Sequence, residues 1–197
     1  MNANRDDARS RWLLFIYRVP QDPPGRRTYV WRFLRQLGAI YLQQAAAILP
    51  DRPELHTALA KLAARIREFP GEVSVLETVS PSSEWEQELV ERFNHARSAE
   101  YAEVVENIER FEDEVRRESR KGKFTFAELE DIEADWEKLQ RWYERVQARD
   151  FFESPEQMSV VAALERGQHA LETFAAEVYA HEGVTNADAR GEPDSKA

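Results

Sequence analysis

The sequence predicts an α+β protein, with a β-α-β-β-α-β sheet domain at the front packed with an extended antiparallel helical domain at the back. Two observations carry this expectation. Apolar, β-branched runs alternate with stretches of helical spacing up to residue 80, and only helical spacing follows. The charge changes at the same place: residues 1–80 carry 12 Lys/Arg against 8 Asp/Glu, a net of +4, whereas residues 81–197 carry 15 against 29, a net of −14. The overall charge of −10 thus conceals a basic front and an acidic back. Such an asymmetry bears on partners and on solubility more than on fold.

Trp12-Leu-Leu-Phe-Ile-Tyr-Arg-Val-Pro20 is continuous and β-branched or aromatic, which predicts a central strand closed by proline. Gln21-Asp-Pro-Pro-Gly25 continues no regular structure. From Arg26 to Leu37, the apolar positions Val30, Phe33, Leu34 and Leu37 return at helical spacing, with Gly38 placed to stop the helix. Ile40 to Leu49 predicts a hairpin split by a turn at Gln43-Gln44 and closed by Pro50. Pro53 to Phe69 places Leu55, Leu59, Leu62, Ala63 and Ile66 on one helical face, and Glu72 to Val79 is a final strand. This order is the ferredoxin-like arrangement, with two helices on one face of an antiparallel sheet. Apolar residues at both pleat positions of the first strand require cover for the other face, either from the back part or from a second subunit.

Ser83-Glu-Trp-Glu86 has the spacing of a capping box and predicts a long helix to about residue 119, with a bend near His95–Ser98. Gly122 supplies a turn, and Thr125-Phe-Ala-Glu128 is a second capping box. Leu129, Ile132, Trp136, Leu139, Tyr143 and Val146 then form a heptad seam. Ser154-Pro-Glu-Gln157 opens a last helix, Gly183 ends it, and Val184 to Ala197 reads as a disordered tail. The expected domains are residues 10–80 and 83–182. The five tryptophans read first as packing residues.

Several chemistries are excluded by what is missing. With no cysteine there is no disulfide, thiolate metal site or cysteine nucleophile, a composition suited to the reducing cytoplasm. No apolar run is long enough to cross a bilayer, so no membrane partner is expected, and the polar start Met1-Asn-Ala-Asn-Arg-Asp-Asp is unlike a secretion signal. The four histidines, His56, His95, His169 and His181, are scattered, and no metal or other cofactor is predicted. There is no Gly-x-Ser-x-Gly elbow, phosphate loop or dinucleotide fingerprint, so no catalytic residue is assigned.

The strongest local signal is the cluster Arg26, Arg27, Arg32 and Arg35 on or beside the first helix, with Arg18 at the end of the first strand. Arginine forks suit phosphates and other oxyanions, and a helix start adds backbone donors. A second basic group, Arg116, Arg117, Arg120, Lys121 and Lys123, surrounds the turn at Gly122 and is a candidate contact for an anion or for DNA. The seam Leu129, Ile132, Trp136, Leu139 and Tyr143 is a candidate interaction face for a second copy of the chain.

Trp12-Leu-Leu-Phe-Ile-Tyr-Arg-Val-Pro, Tyr29-Val-Trp31-Arg32-x-Leu34-x-x-Leu37-Gly38-Ala39 and Ile48-Leu49-Pro50 resemble the N-terminal domain of the ChrB family, which is associated with bacterial chromate resistance. Trp142, Arg149-Asp-Phe-Phe152 and the acidic helices between extend the resemblance to about residues 10–180. Members commonly carry a second, C-terminal chromate-resistance domain that is not among these residues. The resemblance implies a regulatory or sensing role in controlling transcription of efflux genes. The front part also looks like the small ferredoxin-like fold of CRISPR-associated endonucleases and of the middle domain of phenylacetate-pathway repressors. The nucleases bind metal through an aspartate near the end of the first strand, where Tyr17-Arg18-Val19 stands here, so cleavage is not carried over. The resulting expectation is a non-enzymatic cytoplasmic regulator, dimeric, touching DNA or an oxyanion. The alternative is an interaction module that binds no nucleic acid.

Overall fold

The structure is a computed structural model and describes residues 10–22 and 24–188. The elements in chain order are β1 (Arg11–Arg18), α1 (Arg26–Gln36), β2 (Ile40–Gln43), β3 (Ala46–Pro50), α2 (Pro53–Glu68), β4 (Glu72–Val79), α3 (Ser83–Lys121), α4 (Phe126–Gln147) and α5 (Gln157–Asp188). The protein is therefore α+β. It divides into two compact units, Met1–Ala96 with Arg149–Glu153 and Arg97–Ala148 with Ser154–Ala197. The division falls inside α3.

In the first unit the strands lie in the order β2-β3-β1-β4 and every neighbouring pair is antiparallel. Alternation along β1 sends Leu13, Phe15 and Tyr17 to one face, where they join Val30 and Leu34 of α1 and Leu55, Leu59, Leu62, Ala63 and Ile66 of α2. The other face carries Trp12 and Ile48, which pack on Leu89 and Phe93 of α3 with Trp85, Phe151 and Phe152 beside them. The first turns of α3 and the segment 149–153 thus supply part of the cover required by sequence, while Ile16 and Leu76 on the same face stay exposed. Trp12 stacks 5.8 Å from Phe93 and donates from Nε1 to the Ser80 hydroxyl at 2.8 Å, so its one polar atom is satisfied. Arg52 fixes the returning segment, with its guanidinium 4.8 Å from the Phe151 ring centroid and a 3.0 Å bond to the Phe151 carbonyl.

Helix ends follow local chemistry. Leu37 caps α1, Gly38 takes a positive φ of 82°, and the amides of Gly38 and Ala39 bond Arg35 and Leu34 carbonyls, a Schellman closure. At α3 the cap is Ser82 rather than Ser83. Its hydroxyl accepts from the Trp85 amide at 3.2 Å, and Glu86 instead accepts from the Ser10 hydroxyl and amide. α3 then runs without interruption through His95–Ser98, for about 58 Å at about 1.5 Å per residue.

The second unit is a three-helix bundle of the later turns of α3 with α4 and α5. Thr125 accepts from the Glu128 amide at 3.3 Å and starts α4 as the capping box predicts. α4 runs antiparallel to α3, since Tyr101 meets Tyr143 while Phe111 meets Trp136 at 5.1 Å. Trp136 donates to Gln168 of α5 at 2.8 Å, and Gly167 leaves room for its ring. α5 begins at Gln157 and passes Gly183 to Asp188, so part of the expected tail is helical. A lone glycine costs a helix only about 1 kcal/mol, and no proline follows it directly. Residues 189–197 of that tail, and the polar start, lie outside the described residues. Among the described residues no helix is long and apolar enough to cross a membrane.

Candidate anion-binding site

The site begins where β1 ends. Gly25 takes a φ of 105° that lets the chain turn into α1, whose start has no side-chain cap and no acidic residue in its first turn. The β2–β3 turn lies alongside, because the Tyr17 amide bonds the Ala45 carbonyl at 3.0 Å. These three pieces of backbone border an open hollow of about 480 Å³ lined by Tyr17, Arg27, Thr28, Trp31, Tyr41, Gln43 and Gln44, with Arg27, Trp31 and both glutamines exposed to solvent. A second hollow of about 400 Å³ shares Tyr17, Arg27 and Gln44 and extends past Arg18 and Gly25.

The hydroxyls of Tyr17 and Tyr41 are 3.1 Å apart. Burial pushes the Tyr41 phenol far above its ordinary pKa, the bond to Tyr17 adds to the shift, and the charge of Arg27 opposes it. Tyr41 is therefore protonated at any physiological pH. In such a pair one hydroxyl donates to the other, and the accepting hydroxyl keeps a proton to offer elsewhere. Among the described residues Arg27 has no hydrogen-bond or ion-pair partner, and neither side-chain amide of Gln43 and Gln44 has one. The cavity thus gathers a free guanidinium, a hydroxyl proton and two free amides, a set suited to an anion.

The other arginines do not converge on it. Arg18 pairs with Glu72 across the strands. Arg26 bonds the carbonyls of Asp22 and Phe69 at 3.1 and 3.2 Å and lies over the Phe69 ring, tying α1 to the end of α2. Arg35 stacks on Trp31 at 5.3 Å. Arg32 is exposed and, among the described residues, has no partner. On α1, Arg27, Trp31 and Arg35 follow one another at four-residue spacing, and Arg32 adjoins Arg35 at three.

The second basic group is largely neutralised within α3. Arg116 pairs with Asp113 at 2.9 Å, Arg117 with Glu114 at 3.2 Å and Lys121 with Glu118 at 2.8 Å. The Lys121 bond, with Arg117 and Lys123 adding, holds the Glu118 carboxyl below its usual range. Arg120 and Lys123 are exposed. The seam residues Leu129, Ile132 and Trp136 are buried in the second unit's own core, where Leu139 and Tyr143 pack partly buried against it.

Sequence reasoning singled out Arg27 but missed Tyr17, Tyr41, Gln43 and Gln44. Tyrosines twenty-four positions apart meet only through strand pairing, and no local spacing announces that. Among the described residues no group of three His, Cys, Asp or Glu could hold a metal ion.

The profile of the family described as Protein ChrB, N-terminal, matches residues 27–185. Protein ChrB of Cupriavidus metallidurans is 33% identical over 103 residues, which cover 52% of this chain and 31% of that relative. The matched region spans about a third of the relative's length. No solved structure matches at a significant level.

Proposed function

Because the chain belongs to the ChrB N-terminal family, we propose that it is a non-enzymatic cytoplasmic regulator or sensor whose front unit, ferredoxin-like in its strand order, binds an oxyanion in the Tyr17–Tyr41 cavity. The observation that supports this most is an unpaired Arg27 lining the same cavity as a hydroxyl pair. A guanidinium supplies charge and two parallel donors, and the hydroxyl adds a further donor in the same lining. Chromate is the oxyanion that family membership suggests. Calorimetric titration with chromate, sulfate and phosphate tests the reading. Saturable binding that Arg27→Ala weakens at least tenfold and Arg32→Ala leaves unchanged is the expected result; no binding, or equal effects of the two variants, overturns it.

A DNA contact has less support, since Arg18 and Arg26 of the front group and three cations near Gly122 are already engaged within the chain. If phosphate backbone is bound, electrophoretic shifts of promoter fragments must weaken steeply with salt. Dimerisation through the heptad seam has less support, because Leu129, Ile132 and Trp136 are buried in the bundle and Leu139 and Tyr143 pack partly buried against it.

A further inference from the structure

We infer that the ligand of this cavity carries a planar aromatic ring beside its anionic group, as a nucleoside monophosphate does; the inference rests on the oxyanion reading above and specifies the ligand. Size is the first argument. A tetrahedral oxyanion displaces two or three waters, at about 30 Å³ each, and so occupies only part of this solvent-open hollow of about 480 Å³. That volume lies within the roughly 300–1,000 Å³ of ordinary small-molecule sites.

The lining is the second argument. Trp12 and Trp136 are buried in cores, but Trp31 is 41% exposed and lines this cavity. Arg35 lies over its ring and steadies it. An exposed indole stacks any nucleobase, whose faces are all aromatic. Arg27 precedes Trp31 by four residues on α1, so guanidinium and indole project from adjacent turns of one face. An anion at Arg27 therefore brings a ring attached through a short linker, such as ribose, alongside Trp31. The free amides of Gln43 and Gln44, each able to donate and accept, suit the polar edge of a base.

The test uses the full chain and calorimetric titration with inorganic phosphate, ribose 5-phosphate and the four nucleoside 5′-monophosphates. At least one nucleotide should bind tenfold or more tightly than both ring-free probes. Trp31→Leu should erase that advantage without changing phosphate affinity, Trp31→Phe should retain part of it, and Arg27→Ala should weaken every probe. Circular dichroism checks that each variant is folded. If phosphate binds as tightly as every nucleotide, or if Trp31→Leu leaves the advantage intact, the ring is not recognised although the oxyanion site stands. If no probe binds and chromate and sulfate do not either, both readings fall.

Discussion

Two tyrosine hydroxyls in contact make a durable donor, because the environment that lifts the Tyr41 pKa removes its option of becoming an anion. Affinity for sulfate, which keeps its charge over the range, should accordingly stay flat between about pH 6 and 9 as far as Tyr41 governs it. Tyr41→Phe deletes one hydroxyl and leaves the ring. We expect a loss of about tenfold in oxyanion affinity, with stability to urea changing by about 1 kcal/mol or less. An unchanged titration would remove the hydroxyl pair from the site. Arg26 makes the contrasting case. From sequence it is an anion candidate like its neighbour Arg27, yet two carbonyls and the Phe69 ring hold it in a joint between helices. Residue type was legible in the sequence. Which of the adjacent arginines remained free depends on what the end of α2 presents to it.

Elements end where side chains and backbone permit, and two glycines show how sharply. At Gly38 the backbone lies in the left-handed region and a Cβ would come 2.8 Å from the Arg149 Cβ. Gly38→Ala should therefore destabilise by about 2–3 kcal/mol, combining conformational strain with a clash. At Gly167 a Cβ would stand 2.4 Å from the Trp136 ring, and Gly167→Ala should cost about 1–3 kcal/mol through overpacking of the bundle. Urea midpoints check both. Glu86 in the first turn of α3 has its carboxyl held below the usual range chiefly by the Ser10 hydroxyl. A depressed carboxylate contributes stability that is complete above its unfolded pKa, near pH 4.5, and is lost as pH falls through the folded value. Thermal midpoints should thus fall more steeply for the native protein than for Glu86→Gln as pH is lowered from 5 to 3. The strands, α1, α2 and the Thr125 cap followed from periodicity and turn chemistry, although the β2–β3 turn falls at Gln44-Ala45 rather than Gln43-Gln44. The Ser82 cap did not, since two adjacent serines offer the same local chemistry and the bond from Ser10 comes from a residue remote in sequence.

Across the whole molecule, charge and period change where β4 ends, but the packing units change later, inside α3. The reason is the second face of the sheet. Trp12 and Ile48 need a cover, and it is built from early α3 and from Phe151 and Phe152, residues a hundred positions downstream that no periodic signal connects to β3. Phe152→Ala should lower the stability of the first unit by about 2–4 kcal/mol. Hydrogen exchange should show the loss in β1 and β3, and undiminished protection there would show that the ring contributes little. The same connectivity orders events during synthesis. A nascent chain that has emerged only as far as early α3 has its sheet sequence complete, yet it still lacks Phe151 and Phe152. At about 5–20 residues per second it waits several seconds for them. During that interval Trp12 and Phe93 lack two of the rings that pack beside them in the finished unit.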